Sequence, residues 1–487
     1  MSATPPSSTL PIVDDPTRDY GDKVVAVEPG GVEFIPLDER HGGPLQLLWT
    51  WTSPNMEFAT IAVGILGPLF FGLSFWQSAL AIVLGTGLGS LSHGVLSTWG
   101  PKHGLPQMVI SRAAFGFFGN ILPAGLNAVV AGIGWFAVNS VSGALALHAL
   151  THAPKGLCLV IVVVAQMLIA FFGHNLVHAF ERYAFPVLAV IFVVASIVVL
   201  SKAHPGAPGG GGGIGGFLLM FGATFGYAAG WNPYASDYTR YLPPDTRPLP
   251  VALAAGFGVF ASCVLLEIAG SAVVTAGKSA VDPSSFTDLL PTWVGKLVLL
   301  AICLGAVAAN AINIYSGSIS FMALGIRLPT HAARAAVALV FGVIGLIVAL
   351  GGLHNAGSTY ENFLLIISYW IGPWLGVVFV DHLLRRGTSF QALLGDKRHL
   401  NWAGPIAMAL GMVVSIWLFS NQTKYVGVVP KHHPAFGDLT FEVGFVIAAV
   451  LYYVIFRATR QERMSAVLEL EDEAQAAGGE AATTVAP

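Results

Sequence analysis

Apolar residues fill most of this chain in long stretches, and polar residues collect in short breaks between them. With roughly 20 residues taken as the length that crosses a bilayer, twelve such runs can be marked. They begin near Leu45, Phe75, Asn120, Leu157, Ala184, Gly216, Val251, Trp293, Ala332, Tyr360, Trp402 and Phe441. The pattern predicts an all-α polytopic membrane protein with twelve transmembrane helices. His174, Asn175, His178, Glu181 and Arg182 crowd the junction between the fourth and fifth runs. Ahead of the first run lies a polar, proline-rich tail without the apolar core of a cleavable signal, so the first membrane helix is expected to direct insertion. Beyond Arg463 the acidic residues Glu469, Glu471, Asp472 and Glu473 predict a solvated, largely disordered tail.

Two runs are interrupted where their middles should be. The sixth contains GWNPYASDYTRY at 230–241, and the first contains WTSPN at 51–55. Proline removes a backbone donor and clashes with the preceding turn, and unpaired backbone inside a membrane survives only where protein buries it or it lines a wet cavity. The bland explanation, a kink at each proline, would suffice for a single case. Here the two interruptions lie five helices apart, an odd number, so the second half would be inverted relative to the first. Broken helices at matching positions of two inverted halves point to a transporter's midplane site. The expected division is a tail at 1–44, a first repeat at 45–200, a Gly-rich outer linker at 201–215, a second repeat at 216–384, two further helices with their loops at 385–457, and a tail at 458–487.

Charge adds orientation and excludes several classes. Of the 487 residues 55% are hydrophobic and 10% charged, with a net charge of -3, and no basic run of the kind that binds nucleic acid is present. Of 23 Lys and Arg, seventeen, including every Arg, fall on one side of the predicted helices; the other six are Lys155, Lys202, Lys278, Lys296, Lys424 and Lys431. Basic residues accumulate in cytoplasmic loops, so both termini are expected in the cytoplasm and the protein in the plasma membrane. Cys158, Cys263 and Cys303 stand singly, without the spacing of a zinc site. GAPGGGGGIGG at 206–216 lacks the ending of a phosphate-binding loop and is expected to be a flexible linker. Gly85, Gly87 and Gly89, with Gly116 and Gly119, suit close helix packing.

The polar residues deep in the apolar runs carry the chemistry. Trp135 and Asn139 sit at i and i+4 on one face of the third helix, too deep for the interfacial belt where membrane tryptophans collect. Asn310 and Asn313 sit at i and i+3 in the eighth. Tryptophans of this kind can serve core packing, and asparagines can simply join helices by hydrogen bonds. Taken with the two broken helices they point to a shared cavity. Indoles stack on flat heterocycles, and an amide offers a donor beside an acceptor. With no Arg or Lys inside the runs to hold an anion, the expected ligand is neutral, flat and amide-like.

SPNMEF (53–58), GPKHGLPQMVISRAAFG (100–116), GWFAVN (134–139), VHAFERY (177–183), GWNPYASDYTRY and NINIYS together resemble the purine-cytosine permeases of the nucleobase:cation symporter-1 family, from about Glu33 to the twelfth helix. The resemblance implies a LeuT-like fold of two inverted five-helix repeats with broken helices 1 and 6, working by alternating access as a symporter. It implies that Trp135 and Trp231 stack on the substrate, that Asn139, Asn310 and Asn313 pair with its edge, and that Ser53 lines the cavity. The chain departs from fungal members in the eighth helix, where it reads ANAIN in place of a proline-containing NNCPN-type run. That departure leaves the base open, because some relatives carry allantoin, hydantoins or vitamins.

The coupling ion follows from what the helices offer. In LeuT-like transporters sodium ligands resemble carbonyls of the broken first helix plus hydroxyls of the eighth, but the turn before Asn310 reads AVAA, with Ser316 and Ser318 arriving later. Intramembrane carboxylates are costly and so presumptively functional, which favours a proton and makes Glu57, then Glu181 and Glu267, the candidate coupling groups; sodium stays possible. No cofactor, no metal and no obligatory protein partner is expected beyond the nucleobase and the lipid bilayer. Two other classes compete. His174, His178 and Glu181 form HxxxHxxE, one box of an intramembrane metalloenzyme, but the remaining histidines scatter among loops on both sides. A channel would need a charged ring or filter, and neither is visible.

Overall fold

Every apolar run becomes helix. A computed structural model of the chain describes residues 31–171, 174–326, 331–353, 356–386, 390–459 and 461. Among the described residues, seven helices are long and apolar enough to cross a bilayer and five are shorter and apolar, and each of the twelve runs falls on one of them, consistent with twelve spans. In order of the runs, the first comprises Gln46–Thr52 and Phe58–Leu69, the second Phe75–Ser97, and the third Ile121–Val129 with Phe136–Thr151. The fourth is Lys155–Phe171, the fifth His174–Lys202, and the sixth Gly213–Ala229 with Ala235–Thr239. Pro248–Thr275, Thr292–Met322, His331–Gly352, Ala356–Leu384, Ala403–Phe419 and Thr440–Ala458 complete the set. The second helix turns Leu80, Leu84, Leu88 and Leu91 outward, a stripe at helical spacing that suits lipid.

Eleven of these helices sort into two four-helix groups and a flank, and the fifth packs against both groups. The first, second, sixth and seventh pack on one another, as do the third, fourth, eighth and ninth, while the tenth, eleventh and twelfth form a flank. Glycines set the closest approaches, where a side chain would strike a neighbouring backbone. A Cβ on Gly64 would lie 1.7 Å from the carbonyl oxygen of Glu267, and one on Gly270 would lie 2.0 Å from that of Ile61, so the first and seventh helices touch through their main chains. Gly85 and Gly89 do the same for the second and sixth, at 2.4 Å from Phe221 O and 2.8 Å from Ala229 N, whereas Gly87 has nothing nearer than 3.6 Å.

One end of the bundle is sealed by buried arginines. Arg112 donates to Leu394 O and Ala323 O at 3.0 and 2.9 Å. Arg40 donates to Pro101 O at 2.7 Å. Arg240, fully buried, donates to Gly31 O at 2.7 Å and to the Tyr315 hydroxyl at 3.1 Å. Burial lowers the Arg112 guanidinium to about 10, which leaves it charged at neutral pH. Residues 31–44, within the tail expected at 1–44, pack against this end, with Ile35 N bonded to Gly104 O and His41 N to Tyr241 O. The opposite end keeps a cavity of about 400 Å³ lined by Leu69, Phe70, Leu145, Lys155, Val281 and Asp282. The Gly-rich linker also differs from expectation: helix reaches Lys202 and resumes at Gly213, and between them Gly212 N bonds to Gly72 O at 3.0 Å. A Cβ on Gly212 would lie 1.7 Å from Phe71 O, so glycine serves contact there rather than looseness. The acidic tail after Arg463 lies outside the described residues.

Candidate functional site

The first break follows directly from its sequence. Helix Gln46–Thr52 tightens to a 3-10 turn over Ser53–Asn55, passes through Met56, and reaches Glu57 in extended backbone (φ -153°, ψ 176°), which serves as N-cap of Phe58–Leu69. Asn55 repairs part of the damage by donating its Nδ2 to Trp51 O at 2.7 Å. Thr60 donates to Asn55 O at 2.5 Å, leaving the Tyr227 hydroxyl of the sixth helix to donate to Thr60, also at 2.5 Å. The second break is built alike: helix Gly213–Ala229 ends at Gly230, and a 3-10 turn over Asn232–Tyr234 leads into Ala235–Thr239.

A single hydrogen bond joins the two breaks, from Trp231 Nε1 to Asn55 Oδ1 at 2.9 Å. Trp51 stands edge-on to Trp231 with centroids 5.8 Å apart. Across from them is the third helix, which carries a π-helical turn over Val130–Trp135 before α-helix resumes at Phe136. Such one-turn bulges recur at functional sites because they re-aim side chains. Trp135 ends that turn beside Gly230, where an added Cβ would lie 3.3 Å from its Cζ2. Tyr227 and Phe363 stand edge-on to Trp135 at 5.3 and 5.1 Å, and Tyr360 at 6.5 Å. Tyr360 also donates to Ala59 O at 2.9 Å, so the tenth helix covers Trp135 toward the open end.

The asparagines meet where the third and eighth helices cross. Asn139 Nδ2 donates to Asn310 Oδ1 at 3.0 Å and Asn313 Nδ2 to the same oxygen at 3.3 Å. Ser53 Oγ and Asn313 Oδ1 are buried with no partner, a costly state in an apolar interior and one that a polar ligand or water would relieve. Trp231 and Ser53 belong to one four-helix group and Trp135, Asn139, Asn310 and Asn313 to the other, with Trp135 meeting Gly230 and Tyr227 across the boundary. Indole faces and free amide and hydroxyl groups suit a flat, neutral, hydrogen-bonding molecule.

The carboxylates occupy separate places. Glu57 accepts from Ser142 of the third helix at 2.8 Å, and its other oxygen has no partner. It packs on the eighth helix, where a Cβ on Gly305 would come within 2.7 Å of its Cβ. Glu267 accepts from Thr86 at 2.7 Å between the second and seventh helices, with its second oxygen unpartnered. Glu181, His174 and His178 belong to helix His174–Lys202, but their side chains are outside the described residues. Among the described residues no group of three or more His, Cys, Asp or Glu could hold a metal.

Several participants were not anticipated. Asn55 sits within the quoted WTSPN, and its position just after a proline in an apolar run was the available signal. Gln166, an amide inside the fourth run, was another: it donates to Ala306 O at 3.2 Å and accepts from Ser140 at 2.9 Å. His93 corrects the expectation that the remaining histidines lie in loops. It is fully buried in the second helix, edge-on to Trp51 at 4.2 Å.

Known proteins are similar to this chain over most of its length. The purine-cytosine permease fcyB of Emericella nidulans is 30% identical, with 93% of this chain and 94% of fcyB covered. The putative purine-cytosine permease YxlA of Bacillus subtilis is 28% identical over 91% of this chain and all of its own. Among solved structures, Mhp1, a nucleobase-cation-symport-1 family transporter, matches in a closed conformation with bromovinylhydantoin bound (TM-score 0.72, 20% identity, 90% of this chain and 96% of Mhp1). Its inward-facing conformation matches with a TM-score of 0.69 at 21% identity, over 90% of this chain and 95% of Mhp1. These matches show the fold, that of an integral membrane transporter. The profile of the permeases for cytosine/purines, uracil, thiamine and allantoin matches residues 34–444, and the chain belongs to that family.

Proposed function

We propose that this protein imports a neutral planar nucleobase, cytosine or a purine, across the plasma membrane by cation symport and alternating access. The observation that carries the reading is the junction of the two broken helices at Asn55 and Trp231, with Trp135 of the opposite group against Gly230. The names of fcyB and YxlA support the substrate class. In this reading Trp135 and Trp231 stack on the base, Asn139, Asn310 and Asn313 serve its edge, and Ser53 lines the cavity. The division into repeats at 45–200 and 216–384 belongs to the same proposal, as does the cytoplasmic placement of both termini. With the arginine-sealed end cytoplasmic, the cavity of about 400 Å³ faces outward. The protein needs the bilayer and no obligatory protein partner.

For the coupling ion we propose a proton, with Glu57 as the first coupling group and Glu267 and Glu181 next. Glu57 spans the two groups, one oxygen on Ser142 and one without a partner, so its surroundings change when the groups move. A proton moving inward down 100 mV gains about 2.3 kcal/mol, enough for roughly fifty-fold accumulation of a neutral base. The test is uptake of labelled cytosine in cells lacking their own permease, competed by purines, uracil, allantoin and hydantoins. Uptake should rise as outside pH falls, survive replacement of sodium by choline, and collapse with a protonophore. Strict sodium dependence with preference for allantoin or a hydantoin would instead establish a sodium-coupled carrier of the same fold.

A further inference from the structure

The interior of the first four-helix group holds polar atoms that the proposed substrate site does not use. Thr86, Ser90 and His93 stand at i, i+4 and i+7, on one face of helix Phe75–Ser97, and all three are buried. Thr86 donates to one oxygen of Glu267, whose other oxygen has no partner. Ser90 Oγ has none either. The Ser90 carbonyl lies toward the seventh helix, where a Cβ on Gly256 would come within 3.0 Å of it. The Trp231 main chain lies beside the His93 ring, yet neither ring nitrogen makes a hydrogen bond of normal geometry. His93 is seven residues, about 10 Å of helix, nearer than Thr86 to the arginine-sealed end, where Arg40 holds Pro101 O just past the same helix.

Packing alone does not account for this line. A phenylalanine would set the same edge against Trp51 without burying two ring nitrogens, and each dry polar group costs about 1 to 3 kcal/mol. Helical residues one turn apart stand about 5 to 6 Å from each other, a gap that one water closes with two hydrogen bonds of about 2.8 Å. The groups that face His93 carry no charge: Trp51 from the first helix, the Trp231 main chain from the sixth, and Ala252 with Gly256 of the seventh against the adjacent Gly94. Tyr238 meets the same Trp51 at 5.5 Å. Two acids flank the line, Glu267 on the side of the cavity and Asp237, which accepts from Gln107 N at 3.0 Å, on the side of the arginines.

We infer that ordered water links Glu267 through Ser90 to His93, and that His93 takes the coupling proton from Glu267 on its way to the inward end. The inference rests on the proposed proton symport and gives that proton a route inside one group, apart from the substrate. In the transfer the Glu267 O–H bond breaks as the first water gains a proton, and the last water gives one to the ring nitrogen of His93 that lacks it. Glu267 is left a carboxylate, His93 becomes imidazolium, and the waters between them are regenerated. The imidazolium then releases its proton to water at the inward end.

The test uses the purified full-length protein in liposomes with acid outside and a negative interior, following labelled cytosine and, with an internal pH dye, proton entry. Wild type should accumulate cytosine up to about fifty-fold at 100 mV. His93→Phe, which keeps the ring against Trp51, and His93→Gln, which keeps polar atoms but cannot carry the proton, should only equilibrate it, with proton entry lost. Cytosine binding by His93→Phe should stay within about threefold of wild type, because the edge contact is kept. Wild-type proton entry per cytosine in either variant would overturn the inference. A cryo-EM map of the wild type gives a reading that needs no variant: ordered density should join Glu267, Ser90 and His93, and a dry interior would overturn it as well. Uptake by the wild type that follows sodium with no proton entry would refute the proton reading itself, whereas proton-driven uptake that the variants leave unchanged would refute only the route.

Discussion

Asn55 closes a gap that its neighbour opens. Pro54 deprives the first helix of a donor, and the Asn55 amide takes the Trp51 carbonyl with one end and the Trp231 indole with the other. The indole ring is thereby held by its N–H. Trp135→Ala and Trp231→Ala should each weaken substrate binding by about 1 to 3 kcal/mol, with Phe at either position keeping part of it. Normal binding by both alanine variants, correctly inserted, would show them to be packing residues. Glu57→Gln should keep substrate binding but lose the rise in uptake at acid outside pH, and a retained rise would move the coupling role elsewhere. The tryptophans and asparagines were legible because such residues stand out in apolar runs. What they bond to was not, since the spacing of Asn310 and Asn313 says nothing of which helix lies opposite. Tyr227, Tyr360 and Phe363 were hidden for another reason: an aromatic in an apolar run looks the same whether it faces lipid, core or site.

At the scale of helices, length and break were legible and contact was not. Run length gives the spans, and proline with asparagine marks the two breaks, because each acts on its own backbone. The π-turn at Val130–Trp135 has no proline to mark it in the sequence. Likewise, glycines at 85, 87 and 89 announced close packing without saying which of them touches. The structure separates Gly85 and Gly89 from Gly87, and it adds Gly64 against the Glu267 carbonyl. Because that obstacle is main chain and cannot rotate away, Gly64→Ala should force the first and seventh helices apart and cost about 1 to 3 kcal/mol. Gly87→Ala, with its nearest atom at 3.6 Å, should be close to neutral. Thermal unfolding of the two variants in detergent checks the pair, and equal midpoints would contradict the contact.

The whole molecule is asymmetric along the membrane normal, with buried arginines and packed residues 31–44 at one end and a cavity at the other. The packing of residues 31–44 was not legible in the sequence, since a polar, proline-rich stretch does not show its hydrogen-bond partners. Single cysteines placed in the connections that hold Arg112, Arg247, Arg327 and Arg398 should be shielded from an impermeant thiol reagent in intact cells. Labelling of two of these connections from outside would overturn the orientation. The Asn55 to Trp231 bond lies inside one four-helix group, whereas the Ser142 to Glu57 bond runs between the groups. If the groups rock as bodies, the first bond persists through every turnover while the second breaks and re-forms once per cycle. A short chemical tether joining the first and sixth helices away from Asn55, Trp231 and the other site residues should therefore leave the transport rate nearly unchanged, and one between positions 57 and 142 should stop transport in a single state. Equal arrest by both tethers would mean that the broken helices themselves shear, and that the moving parts of the carrier are smaller than its four-helix groups.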